Sequence, residues 1–76
     1  MDRFFNSNLK YIRKKYGISQ QELANKIGKD RSSIAYWENG KADITLENVI
    51  KISEVLNIPI HDLVGKDLSL GQKEKK

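Results

Sequence analysis

Phe5, Leu9, Ile12 and Tyr16 recur at i, i+4, i+7 and i+11, the spacing of one helical stripe, and Gly17 follows where a left-handed stop residue belongs. A first helix is expected to end there. Ser19-Gln20-Gln21-Glu22 has the form of a capping box, in which a hydroxyl and a carboxylate satisfy each other's free backbone amides ahead of Leu23, Ala24 and Ile27. Gly28 closes this short second helix. Asp30 is a suitable N-cap for a third, with Ile34 and Trp37 on its inner face and Asn39-Gly40 as its stop. Thr45 can cap a fourth, whose Leu46, Val49, Ile50, Ile52 and Leu56 supply a broad apolar face, and Asn57 can take the left-handed stop. Pro59 pre-sets a new helical start, after which Ile60, Leu63 and Val64 give a last short helix before Gly65.

No segment alternates as a strand should, so the pattern predicts an all-α fold, a compact bundle of five short helices. At 76 residues the chain is near the lower limit for one self-sustaining core, which gives one domain over residues 1–65. Residues 66–76 are polar and lysine-rich, with Leu68 and Leu70 as the only apolar anchors. They read as a basic flexible tail or a truncated linker, expected to fray. Cysteine is absent, which removes disulfides and thiolate metal sites and fits a reducing compartment. No apolar run reaches the length of a membrane span, and the first sixteen residues are too charged for a signal sequence, so a cytoplasmic protein is expected.

Charge changes the picture through its distribution more than its total. The net +4 comprises +4 over residues 1–16, +1 over 17–41, −3 over 42–65 and +2 over 66–76. Such polarity suits a domain that turns one side to phosphate and another to solvent or a partner. Two short helices joined by a tight glycine-containing turn, from Ser19 to Asn39, are also the device by which one helix lies in a DNA major groove while the other spans the backbone.

The ordered set Gly17-Ile18-Ser19-Gln20-Gln21-Glu22-Leu23-Ala24, Ile27-Gly28, Ser33-Ile34, Trp37-Glu38-Asn39-Gly40, Leu46-Glu47 and Leu56-Asn57-Ile58 resembles the Cro/CI-type (XRE-like, lambda-repressor-like) helix-turn-helix family of phage and bacterial repressors. The resemblance spans roughly residues 7–65. It implies a sequence-specific regulator of transcription, a repressor by family frequency, bound to a double-stranded operator. By the same resemblance Gln20 braces the recognition helix and touches a phosphate. Arg31, Ser32, Ser33 and Tyr36 match base-reading positions, and Asn39, Gly40 and Lys41 pass the sugar-phosphate backbone. Arg13 and Glu38 match an ion pair that locks the first helix to the end of the third.

The chemistry of these residues agrees with those roles and leaves others open. Arg31 can donate twice to guanine O6 and N7, or pair with Asp30, or bind only phosphate. Ser32 both donates and accepts, so it tolerates several bases or a phosphate. Tyr36 can meet a thymine methyl, a phosphate or the edge of the core. Ser33, nearer the helix contact, suits packing as well as DNA. Gln20 could be a plain surface helix former and Asn39 a plain turn residue, while Lys29 suits phosphate by charge and position. Lys10, Lys14 and Lys15 read as a solvated face, and Trp37 as core. Two departures from the family stand out: Ile44 replaces a frequent proline, leaving that loop either less rigid or docked on the core, and Asn57 replaces a frequent glycine.

An enzyme is disfavoured, because the sole histidine, His61, sits beside Asp62 at a helix start, and neither a glycine-rich phosphate loop nor a metal-ligand cluster is present. No cofactor, metal, membrane or small-molecule substrate is implied. The serious competitor is a protein-interaction module on the same fold, antitoxin-like or an adaptor. A homodimer on DNA is expected, since one such module meets few bases. Ile60, Leu63, Val64, Leu68 and Leu70 are its candidate contacts, unless they complete the monomer core.

Overall fold

In the computed structural model, residues 3–65 and Leu68 are described; the rest of the expected tail, Leu70 included, lies outside the described residues. The elements run α1 (Arg3–Lys15), α2 (Gln20–Ile27), α3 (Arg31–Asn39), α4 (Leu46–Leu56) and α5 (Ile60–Val64). No strand occurs among the described residues.

The helix ends follow local chemistry. Ser19 Oγ accepts from the Glu22 amide at 3.0 Å and Glu22 Oε1 accepts from the Ser19 amide at 2.8 Å, completing the capping box. The backbone and hydroxyl of Ser19, aided by Lys26, hold the Glu22 carboxyl below its usual range. Thr45 Oγ1 likewise accepts from the Asn48 amide. Asp30 occupies the N-cap position of α3, but its side chain makes no capping bond.

Helices α1 to α4 all terminate the same way. A residue with positive φ (Gly17, Gly28, Gly40, Asn57) is followed by an amide that reaches back five positions, as from Lys29 to the Ala24 carbonyl at 2.8 Å and from Lys41 to that of Tyr36 at 2.9 Å. The three-residue link Gly28 to Asp30 thereby turns the chain sharply between α2 and α3. At Gly40 the reason for glycine is doubled, because a Cβ there would also stand 3.0 Å from Asn6 Nδ2.

Every helix contributes to one core: Phe5, Leu9 and Ile12 from α1, Leu23, Ala24 and Ile27 from α2, Ile34 and Trp37 from α3, Val49, Ile52 and Leu56 from α4, and Leu63 from α5. Ile44 docks on it too, so the loop that lacks the family's proline is tied down by burial.

Two sequence expectations need correction, and a third is narrowed. Tyr16 does not continue the buried α1 stripe: the helix ends at Lys15, the left-handed Gly17 turns the chain away directly after Tyr16, and the ring is 51% exposed. Leu46 and Ile50 do not join the α4 core face; they are 60% and 39% exposed, while the polar Asn48 is buried. Of the proposed dimer contacts, Leu63 is fully buried, and Ile60, Val64 and Leu68 pack partly buried against the core. Leu63 thus completes the monomer core, while Ile60, Val64 and Leu68 keep part of their surface outside it.

Candidate nucleic-acid interface

Helix α3 lies against α2 and α1, with Ile34, Trp37 and Glu38 turned inward. At 3.6 residues per turn, Arg31, Ala35, Asn39, Ser32 and Tyr36 then share an outward arc of about 140°. Arg31, Ser32 and Asn39 are exposed, as is half of the Tyr36 surface. Ser33 falls at the margin and is half-buried. Ala35, in the middle of the arc and half-buried, was missed by sequence reasoning because alanine carries no polar group to attract notice. Its methyl is nonetheless the kind of group that meets a thymine methyl. No acidic side chain occurs from Arg31 to Tyr36.

Beside this arc, Lys29 in the turn and Lys41 beyond α3 are exposed, each at the chain's exit from a helix. Gln20 opens α2 half-buried. Its location between the other groups explains why: Gln20 Nε2 donates inward to Glu38 Oε1 at 3.1 Å, and Gln20 Oε1 accepts a long bond, 3.5 Å, from Arg31 Nη1. The recorded partner of the Arg31 guanidinium is therefore Gln20.

Glu38 is the anchor of this arrangement. Arg13 donates to it twice, Nε to Oε2 at 2.6 Å and Nη2 to Oε1 at 3.1 Å, in a fork that is 11% and 2% exposed on the two side chains. Arg13 Nη1 donates in addition to the Ile18 carbonyl at 2.9 Å, so the guanidinium ties the end of α1 to the α1–α2 turn as well as to α3. Four side chains twenty-five residues apart at the extremes form one hydrogen-bonded series, Arg13, Glu38, Gln20 and Arg31, from the scaffold to the exposed arc.

Other polar positions lie elsewhere. His61 is 83% exposed and stands 3.5 Å from Asp62. No group of side chains suited to a metal ion occurs among the described residues. None of the described helices is long and apolar enough to cross a membrane. Asn8 is a second residue that sequence reasoning missed. It is fully buried, its Nδ2 donating to the Leu63 carbonyl at 2.8 Å and its Oδ1 accepting from the Leu68 amide at 2.9 Å.

A short α2, a three-residue turn and a second helix held rigidly with a polar, uncharged-to-basic face outward define a helix-turn-helix protein. Comparison with known proteins agrees: the family described as helix-turn-helix (HTH_3) matches residues 9–63. The chain belongs to that family and is a DNA-binding, Cro/CI-type transcriptional regulator. Among its relatives, an uncharacterized HTH-type transcriptional regulator of Archaeoglobus fulgidus is 40% identical over 57 residues, covering 75% of this chain and 81% of that one. Among solved structures, the restriction-modification controller protein C.AhdI from Aeromonas hydrophila superposes with a TM-score of 0.75 at 33% identity, over 79% of this chain and 91% of that one. The P22 c2 repressor, solved with a synthetic operator, gives 0.73 at 25% identity over the same shares. The fold also occurs as one part of an enzyme: hydroxypropylphosphonic acid epoxidase from S. wedmorenis matches at 0.74 and 31% identity, but over 32% of its length against 80% of this chain.

Proposed function

We propose that this chain is a repressor that places α3 in the major groove of an operator half-site, with Arg31, Ser32 and Tyr36 meeting base edges and Ser33 at the margin. Gln20, Lys29, Asn39 and Lys41 would contact the flanking phosphates. It would work in the cytoplasm, without enzymatic activity. The observation that carries the reading is the outward arc of α3, free of acidic side chains and braced through Gln20 and Glu38 to the core. A reading surface must be held in place for the wrong base to cost energy, and the bonds of Glu38 to Arg13 and Gln20 support such a role for α3.

Selecting bound sequences from a random duplex pool supplies the operator, and titration then tests the assignment. Arg31→Ala is expected to lower discrimination at one base pair by roughly tenfold to a hundredfold, the worth of a bidentate arginine–guanine pair. Binding should weaken with added salt in proportion to the phosphates neutralised. Unchanged affinity and preference in Arg31→Ala would remove α3 as the reader and favour the protein-interaction module.

The repressor reading includes two copies on half-sites about one helical turn apart. With Leu63 buried and Ile60, Val64 and Leu68 partly covered, the exposed apolar pair on one side of α4, Leu46 and Ile50, is a further surface able to join the copies. Leu46→Ser, neutral so that phosphate repulsion plays no part, is expected to weaken self-association in sedimentation equilibrium and to lower double occupancy of a full operator. Identical assembly in variant and parent would exclude this face.

A further inference from the structure

The series from Arg13 to Arg31 does more than hold two helices together. A carboxylate offers only acceptors, so Glu38 fixes which way the Gln20 amide points. With Nε2 drawn to Glu38 Oε1, Oε1 of Gln20 must face the mouth of α3, where it presents an acceptor to Arg31 Nη1. Arg31 is otherwise an exposed side chain with large rotamer freedom, and ordering it on DNA carries an entropic cost. The long 3.5 Å bond to Gln20 biases the guanidinium toward the α2 side of the arc while leaving its other donors for a base.

We propose that Glu38 is a positioning residue for base reading: by orienting the Gln20 amide it aims Arg31, and so contributes to operator specificity as well as to folding. The inference rests on Arg31 reading a base, and deepens that assignment. Its chemistry is directional. In Glu38→Gln the shortest contact, Arg13 Nε to Oε2 at 2.6 Å, selects the new carbonyl oxygen for that place. The new NH₂ then takes the place of Oε1 and faces Gln20, whose amide must turn its own oxygen inward. The outward group becomes an NH₂, a donor facing a donor, and Arg31 is released.

The test compares the selected operator with a duplex changed at the base pair that Arg31→Ala identifies. Glu38→Gln is expected to lose most of the discrimination lost in Arg31→Ala, roughly tenfold or more. In a Gln20→Ala background the same substitution should cause no further loss, because its route to Arg31 is already cut. Discrimination retained in Glu38→Gln, or an equal loss with and without Gln20, overturns the inference. Should Glu38→Gln not fold, side-chain amide hydrogen exchange in the parent protein decides: Gln20 is expected to exchange more slowly than the exposed Asn25, and equal rates overturn it. If Arg31→Ala itself changes no preference, the reading assignment fails first, a result distinct from either outcome for Glu38.

Discussion

Arg13→Met is expected to destabilise the protein by about 3–5 kcal/mol, the usual cost of stripping one partner from a buried ion pair. Methionine keeps the aliphatic reach of the side chain, so the loss isolates the charge and its bonds. Glu38, 2% exposed on its side chain, would keep only the Gln20 amide against its charge, and the Ile18 carbonyl would lose its donor. For a domain of this size total stability is at most about 10 kcal/mol, so the loss is a large fraction of it. Urea denaturation followed by the fluorescence of Trp37, buried beside Glu38 on α3, measures it directly. A midpoint moved by less than about 1 kcal/mol in free energy, within the range of exposed pairs, would contradict the claim. The double substitution Arg13→Met/Glu38→Leu should recover much of the loss, because an apolar pair of similar volume leaves no uncompensated charge.

The helix boundaries were legible because the determinants are local. Ser19, Glu22, Thr45, Gly28, Gly40 and Asn57 act on amides and carbonyls within a turn of themselves, so their chemistry can be read without knowing the fold. The faces were less legible. Helix α4 carries apolar residues around more of its circumference than one stripe, and periodicity cannot say which side docks. Packing against α2 and α5 chose Asn48, Val49, Ile52 and Leu56, and left Leu46 and Ile50 outside. Tyr16 fits the α1 period on paper, but periodicity holds only while the helix lasts, and it ends one residue earlier.

Among contacts between distant residues, the Arg13–Glu38 pair was legible only through family resemblance, and the bonds of Gln20 to Glu38 and Arg31 were not read at all. Nothing in the spacing of Arg13 and Glu38 pairs them, and the bond from Gln20 to Arg31 depends on the turn angle between α2 and α3. Asn8, in contrast, left a signal. It falls three residues after Phe5 and four before Ile12, on the edge of the buried stripe of α1. A polar residue on an apolar stripe must find partners or be costly. The partners, however, lie fifty-five and sixty positions away, beyond the reach of pattern.

That distance makes Asn8 the second position of large expected effect. Helix α5 has five residues, too few to hold itself, and its Gly65 end is not in the left-handed form that closes the other helices. Its place against α1 depends on the burial of Leu63 and on the Asn8 amide, which donates to the Leu63 carbonyl and accepts from Leu68. Asn8→Leu keeps the volume and leaves both backbone groups without that partner, at about 1–3 kcal/mol each. The expected total of about 2–6 kcal/mol should fall unevenly, as local opening of a weakly held element. Amide exchange would rise first at Leu63 to Gly65 while α2 and α3, joined through Glu38, stay protected. Asn8→Asp refines the test, since a carboxylate still accepts from Leu68 but presents an oxygen to the Leu63 carbonyl. Exchange should then rise at α5 more steeply at neutral than at acid pH, where the protonated acid can again donate. Uniform loss across all five helices would show instead that α5 is part of the same cooperative unit as the reading head, and that operator binding and the docking of the chain's last helix stand or fall together.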